Sequence, residues 1–105
     1  MQIQTNTDRN ITGSEGLAAQ ASAIVEGALA RFSDQITRVE IHLSDENGAR
    51  GGVKDKRCLM EARLEGRQPI AVTHQAATVE QAIDGAADKL KRSIESTLGR
   101  LRDGQ

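Results

Sequence analysis

Apolar positions along the chain follow two spacings, alternation by two and recurrence by three and four, and the switches between them mark out its elements. Residues 2–6 (QIQTN) alternate around Ile3 and predict a short first strand. Leu17, Ala21, Ile24, Val25, Ala28 and Phe32 then mark one face of a helix that ends near Arg31–Ser33. Thr12 and Ser14 are both candidate caps for it, and Thr12 with Glu15 fits a capping box. Gly16 and Gly27 lie inside this helix and weaken it by about 1 kcal/mol each relative to alanine.

Ile36 to Ser44 (ITRVEIHLS) alternates with Val39, Ile41 and Leu43 on one side and Arg38, Glu40 and His42 on the other, the pattern of a half-buried strand. Residues 45–56 (DENGARGGVKDK) hold three glycines and no apolar period, which predicts a flexible loop. Arg57 to Glu65 alternates again, with Cys58, Met60, Ala62 and Leu64 inward and Arg57, Glu61 and Arg63 outward. Gly66-Arg67-Gln68 makes a turn, and the single proline, Pro69, precedes a strand over Ile70–His74 with Ile70 and Val72 inward. The last helix runs from Thr78 to Leu101. Thr78 and Gln81 suit a capping box, and Val79, Ile83, Ala86, Ala87, Leu90, Ile94, Leu98 and Leu101 form a continuous apolar stripe. The order is βαβββα. It predicts an α+β fold: a four-stranded, mostly antiparallel sheet with two helices packed on one face.

Composition narrows the options. A chain of 105 residues suits a single domain over residues 1–105, and 37% hydrophobic content with one aromatic makes its core aliphatic and modest. No apolar run approaches the ~20 residues that span a bilayer, and the N-terminus lacks the order of a secretory signal. One cysteine, Cys58, offers neither an internal disulfide nor metal-ligand spacing, so a cytoplasmic location is the simplest fit.

Net charge is −1, but it is unevenly placed. Residues 1–49 carry three basic groups against seven acidic, and residues 50–105 carry eleven basic against eight acidic. The cations of the second half concentrate on the last helix. Lys89, Arg92 and Arg100 fall within one stripe, with Lys91 and Arg102 adjacent and Asp84, Asp88 and Glu95 close enough to neutralise part of the charge. Arg38, Lys56, Arg57 and Arg63 lie around the sheet. Long cationic side chains along an exposed line are what phosphate contact requires; an ordinary solvated face carries such charges too.

The near absence of aromatics excludes a stacking platform for single strands, since Phe32 belongs to the apolar stripe of the first helix. RNA contact would therefore rest on shape and phosphates. His42 and His74 are too few and too far apart in sequence for a metal site. Asp45-Glu46-Asn47-Gly48 lacks the alternating ligands and closing glutamate of a calcium loop, and residues 48–54 lack the GK[ST] of a nucleotide loop. No nucleophile–histidine–acid set or paired-carboxylate motif is present in the sequence. The expectation is a protein that is not an enzyme and has no cofactor, metal or small-molecule substrate.

The wording AIDGAADKLKRSI (Ala82 to Ile94) resembles the final helix of the ribosome hibernation-promoting factors, the family that includes ribosome-associated inhibitor A and the sigma-54 modulation proteins. The βαβββα order extends this resemblance over nearly the whole chain. It is strongest from Ile70 to Leu90 and weakest over residues 45–56, where the loop is longer and richer in glycine. A position usually aromatic at the start of the last helix is Glu80 here, so no stacking role carries over to it. The chain is similar to a short form, without the second, dimer-forming domain of long members or the extended polar tail of inhibitor-type members.

The resemblance implies a stress or stationary-phase factor, monomeric when free. It would bind small-subunit rRNA in the channel used by messenger and transfer RNA and block translation by occlusion. Lys89, Arg92 and Arg100 would anchor to phosphates, with Lys91 beside them and Arg57, Arg63 and His42 as weaker candidates from the sheet. The competing expectation is a protein-interaction or regulatory module that uses the same fold without RNA, supported by the acidic first half. A binder of free double-stranded RNA is a third. Whether such a factor promotes ribosome dimers or only silences single ribosomes is not written in the sequence.

Overall fold

The structure is a computed structural model and describes residues 1–8, 11, 13–45 and 56–103. Its elements are β1 (Gln2–Thr7), α1 (Ser14–Ala28), a single 3-10 turn (Ala30–Phe32), β2 (Ile36–Asp45), β3 (Lys56–Leu64), β4 (Ile70–Ala76) and α2 (Val79–Asp103). The strands form one sheet in the order β1-β2-β3-β4. β1 pairs in parallel with β2, with Ile3 opposite Val39 and Thr5 opposite Ile41. This pairing requires the crossover that α1 supplies. The other two pairings are antiparallel, with Ile41 opposite Met60 and Met60 opposite Val72. The predicted βαβββα fold and the cover of both helices are what the chain adopts.

Alternation decides which face is covered. Val39, Ile41, Cys58, Met60 and Ala62 are fully buried, and they meet Ala82, Ile83, Ala86, Leu90 and Ile94 of α2, Ala21 and Val25 of α1 and Leu29 just beyond it in one apolar cluster. Phe32 is 6% exposed and belongs to the same core. Ile70 and Val72 are only partly buried, less than expected of inward residues, and Ile24 of α1 is partly buried too. Ile70 and Val72 lie on β4, the edge strand, with no strand beyond it among the described residues.

The two helices start in different ways. The Gln81 amide donates to Thr78 Oγ1 at 3.1 Å, the capping bond expected for α2. The start of α1 differs from the expected caps. Its N-cap is Gly13, held at φ 68° with no side-chain capping bond, and Ser14 is the first helical residue; Thr12 lies outside the described residues. A left-handed backbone is open to glycine at little cost, so conformation rather than a hydroxyl sets this boundary. At the other end α1 stops at Ala28, where the Leu29 amide donates to Val25 O at 2.9 Å, and the chain tightens into the 3-10 turn that seats Phe32. Gly66 takes φ 72° in the β3–β4 turn.

The expectation of a flexible loop over 45–56 falls largely on residues 46–55, outside the described residues. Its two ends are strand residues. Asp45 and Lys56 are cross-strand partners, and Lys56 Nζ lies 3.4 Å from Asp45 Oδ2. Asp45 is buried, and its amide also donates to Asp8 Oδ2 at 3.3 Å. The first acid of the calcium-like stretch is thus committed to holding strands together.

Candidate nucleic-acid interface

Successive residues of an α-helix are about 100° apart, so the apolar stripe of α2 leaves one continuous polar arc with two margins, which meet where Arg92 lies about 40° from Asp88. One carries Lys89 and Arg92, about 60° from each other, with Arg100 on the same side by periodicity. The other carries Asp84, Asp88 and Glu95. Lys91 lies about 200° around from Lys89 and falls on this second flank, half-buried, rather than beside Lys89. The expected grouping of Lys91 with Lys89, Arg92 and Arg100 therefore does not form. Two residues of separation carry a side chain past the far side of a helix.

The neighbours of each flank follow. Glu95 Oε2 meets Arg31 of the 3-10 turn at 3.2 Å, so the acidic flank faces the end of α1. The Arg31 guanidinium also sits 4.8 Å over the Phe32 ring. The cationic flank faces β4. Lys89 Nζ donates to the Thr73 carbonyl at 2.9 Å, and Gly85, one turn earlier, lies directly against the His74 imidazole. A Cβ at Gly85 would overlap that ring. Gly85 is what lets α2 approach β4 so closely, and His74 Nδ1 is buried there without a hydrogen-bond partner.

Arg92 is an exposed cation of α2. Its side chain is 75% exposed and bridged at 2.6 Å to Asp88 one turn back. An exposed i,i+4 pair of this kind is worth a few tenths of a kcal/mol and yields readily to a phosphate. The backbone of Arg100 continues the helix, but its side chain lies outside the described residues.

The uncovered face of the sheet holds the remaining candidates in ordered rows. Gln2, Arg38 and Arg63 are adjacent across three strands; Gln4, Glu40 and Glu61 form the next row; Asn6, His42 and Leu59 the next; Ser44 and Arg57 follow. Two arginines and then two glutamates thus stand directly opposite like charges, an arrangement that destabilises a sheet unless compensated. Compensation runs along each strand. Arg38 Nε lies 3.2 Å from Glu40 Oε2, Arg63 Nε 3.6 Å from Glu61 Oε1, and His42 Nε2 3.5 Å from Glu40 Oε1. Arg38 also donates to Gln4 Oε1. Arg63 and His42 are therefore placed on one face as expected, but each sits against a carboxylate. This face is a charge lattice, and on the α2 flank Arg92 is likewise paired with a carboxylate.

Chemistry for catalysis is sparse. Cys58 is buried, and burial pushes its thiol up to about 12, which keeps it protonated and unreactive in the folded chain. Among the described residues no group of three His, Cys, Asp or Glu side chains could hold a metal ion. An open depression of about 450 Å³ lies between the starts of α1 and α2, lined by Gly13, Gly16, Leu17, Gln20, Val79 and Glu80, with one ionisable group among them. Within the described residues, no helix is long and apolar enough to cross a membrane.

A βαβββα chain with two helices packed on one face of a four-stranded sheet is, by class, an α+β domain. The comparisons with known proteins make it more particular. The family model described as sigma 54 modulation protein / S30EA ribosomal protein matches residues 5–102, and the chain belongs to that family, a family of ribosome-associated factors rather than of known enzymes. The fold is similar to that of a ribosomal subunit interface protein from Coxiella burnetii, at TM-score 0.70 and 16% identity over 94% of this chain and 99% of that one. It is also similar to the N-terminal domain of Protein Y from Thermus thermophilus, at TM-score 0.62 and 22% identity over 92% and 99% of the two chains. No curated sequence matches the chain significantly.

Proposed function

We propose that this protein is a ribosome hibernation factor that binds small-subunit rRNA in the messenger and transfer RNA channel and silences translation by occlusion during stationary phase or stress. Membership of the family carries this reading, and the exposed cationic flank of α2 supplies the means. Lys89, Arg92 and Arg100 meet phosphates along that flank. An arginine offers paired donors to two phosphate oxygens, and Arg92 reaches solvent past a single surface carboxylate. Arg57, Arg63 and His42 are the weaker candidates from the sheet; Arg63 and His42, like Arg92, would exchange a carboxylate partner for a phosphate. Lys91 sits on the opposite flank and is outside the phosphate line. The partner is the ribosome in the cytoplasm, and the free protein is a monomer.

The test is co-sedimentation with small subunits, with a translation assay alongside. Arg92→Glu combined with Arg100→Glu should abolish both activities while the fold survives, since Arg92 is exposed and Arg100 falls off the apolar stripe. The combination leaves Lys89, which has a structural contact, untouched. A folded double variant that still travels with ribosomes and blocks translation would reject the α2 flank. Native protein that never co-sediments with ribosomes would instead favour a regulatory module that does not touch RNA.

A further inference from the structure

β4 ends the sheet, and along an edge strand alternate residues direct both N–H and C=O away from the sheet. Such an edge is a template for another strand, and proteins commonly blunt it with charged residues. β4 itself (IAVTHQA) carries no aspartate, glutamate, lysine or arginine along its seven residues. The cation it lacks comes from outside the strand: Lys89 reaches from the α2 flank to the carbonyl of Thr73. Thr73 is the central residue of β4, so this contact sits at the midpoint of the edge.

We propose that the outer edge of β4 is a pairing site for β4 of a second copy of this chain, held closed by Lys89. A two-fold axis through Thr73 sets Thr73 opposite Thr73, Val72 opposite His74, Ala71 opposite Gln75 and Ile70 opposite Ala76. No like charges meet in that register, and the central Thr–Thr pair is a favourable cross-strand pair. Only an antiparallel arrangement makes the edge complementary to itself, and the net charge of −1 sets up little long-range repulsion between copies.

Lys89 opposes the pairing twice. Its ammonium occupies the Thr73 carbonyl, and the two-fold axis through Thr73 brings the Lys89 ammonium groups of both copies towards each other. Removing the charge and the donor together therefore opens the edge. The inference goes beyond the proposed RNA contact and does not depend on it, because its test uses RNA-free protein.

The experiment compares native protein, Lys89→Met and Lys89→Arg by sedimentation equilibrium, with amide exchange followed along β4. Lys89→Met keeps the length of the side chain without charge or donor and should self-associate about tenfold more tightly or better than the native chain. Slowed exchange should accompany this at Thr73 and its neighbours. Lys89→Arg should stay monomeric. Adding Ala71→Lys and Gln75→Lys, which face each other across the two-fold axis, should return Lys89→Met to a monomer. A folded Lys89→Met chain that remains monomeric overturns the proposal, as does a dimer whose β4 amides exchange as in the native protein. Should Lys89→Met fail to fold, Lys89→Leu, which also lacks charge and donor, serves the same comparison with the same two outcomes.

Discussion

At the scale of single residues, Cys58 and Gly85 show how burial sets chemistry and packing. The Cys58 thiol is raised from 9.0 to about 12 by desolvation. Between those values the unfolded chain loses a proton that the folded chain keeps. Stability is therefore undiminished below pH 9 and falls as pH rises towards about 12, by up to about 1.4 kcal/mol per pH unit from this group. Denaturant titrations from pH 8 to 11 should show this decline, and Cys58→Ala should remove its share of the slope while lowering stability overall. Thiol labelling at pH 8 should proceed only as fast as the protein opens.

Gly85 makes the opposite point about space. Alanine is the better helix former by about 1 kcal/mol, yet its methyl would overlap the His74 ring. Gly85→Ala should lower stability by about 1–3 kcal/mol through overpacking. His74→Ala in the same chain should recover most of that loss. Additive effects in this double-mutant cycle would show that the two residues do not meet as described.

At the scale of elements, α1 is the weaker helix. It starts on a left-handed glycine without a side-chain cap and carries Gly16 and Gly27 in its body. Nothing lies within 4 Å of a Cβ built at Gly27. Gly27→Ala should accordingly raise stability by about 0.5–1 kcal/mol, a gain of a few degrees in melting temperature. Paired with Gly85→Ala, it sets two helical glycines with opposite expected signs, one open and one filled by a neighbour. Helical propensity alone would give both the same sign.

At the scale of the whole molecule, the single apolar cluster joins both helices to the sheet through Ile83. Ile83→Asp would bury a carboxylate among aliphatic side chains, and the chain should not fold. A cooperatively melting Ile83→Asp variant would reject this core. The proposed ribosome contact belongs to the same scale. Binding should weaken steeply with salt, by about 0.7 to 0.9 log units per neutralised phosphate for each decade of salt. An affinity that does not move between low and high salt would point away from the cationic flank and towards apolar contact.

The alternation of β2 and β3, the long stripe of α2 and the Thr78 cap were legible in the sequence because each depends on residues within a few positions of one another. From those periods followed the α+β class, the covered face of the sheet and the burial of Cys58 and Phe32. The wording of α2 likewise pointed to the family before any coordinates. Tertiary structure decided what lies between elements distant in sequence. It seated His74 against Gly85, gave Lys89 the carbonyl of Thr73, and left Ile70 and Val72 half-buried on an edge. It also set the arginine and glutamate rows of the open face against their own kind, with relief along the strands. Spacing fixes where a side chain leaves its own element; what it meets there depends on register and helix placement, which arise only when the core closes.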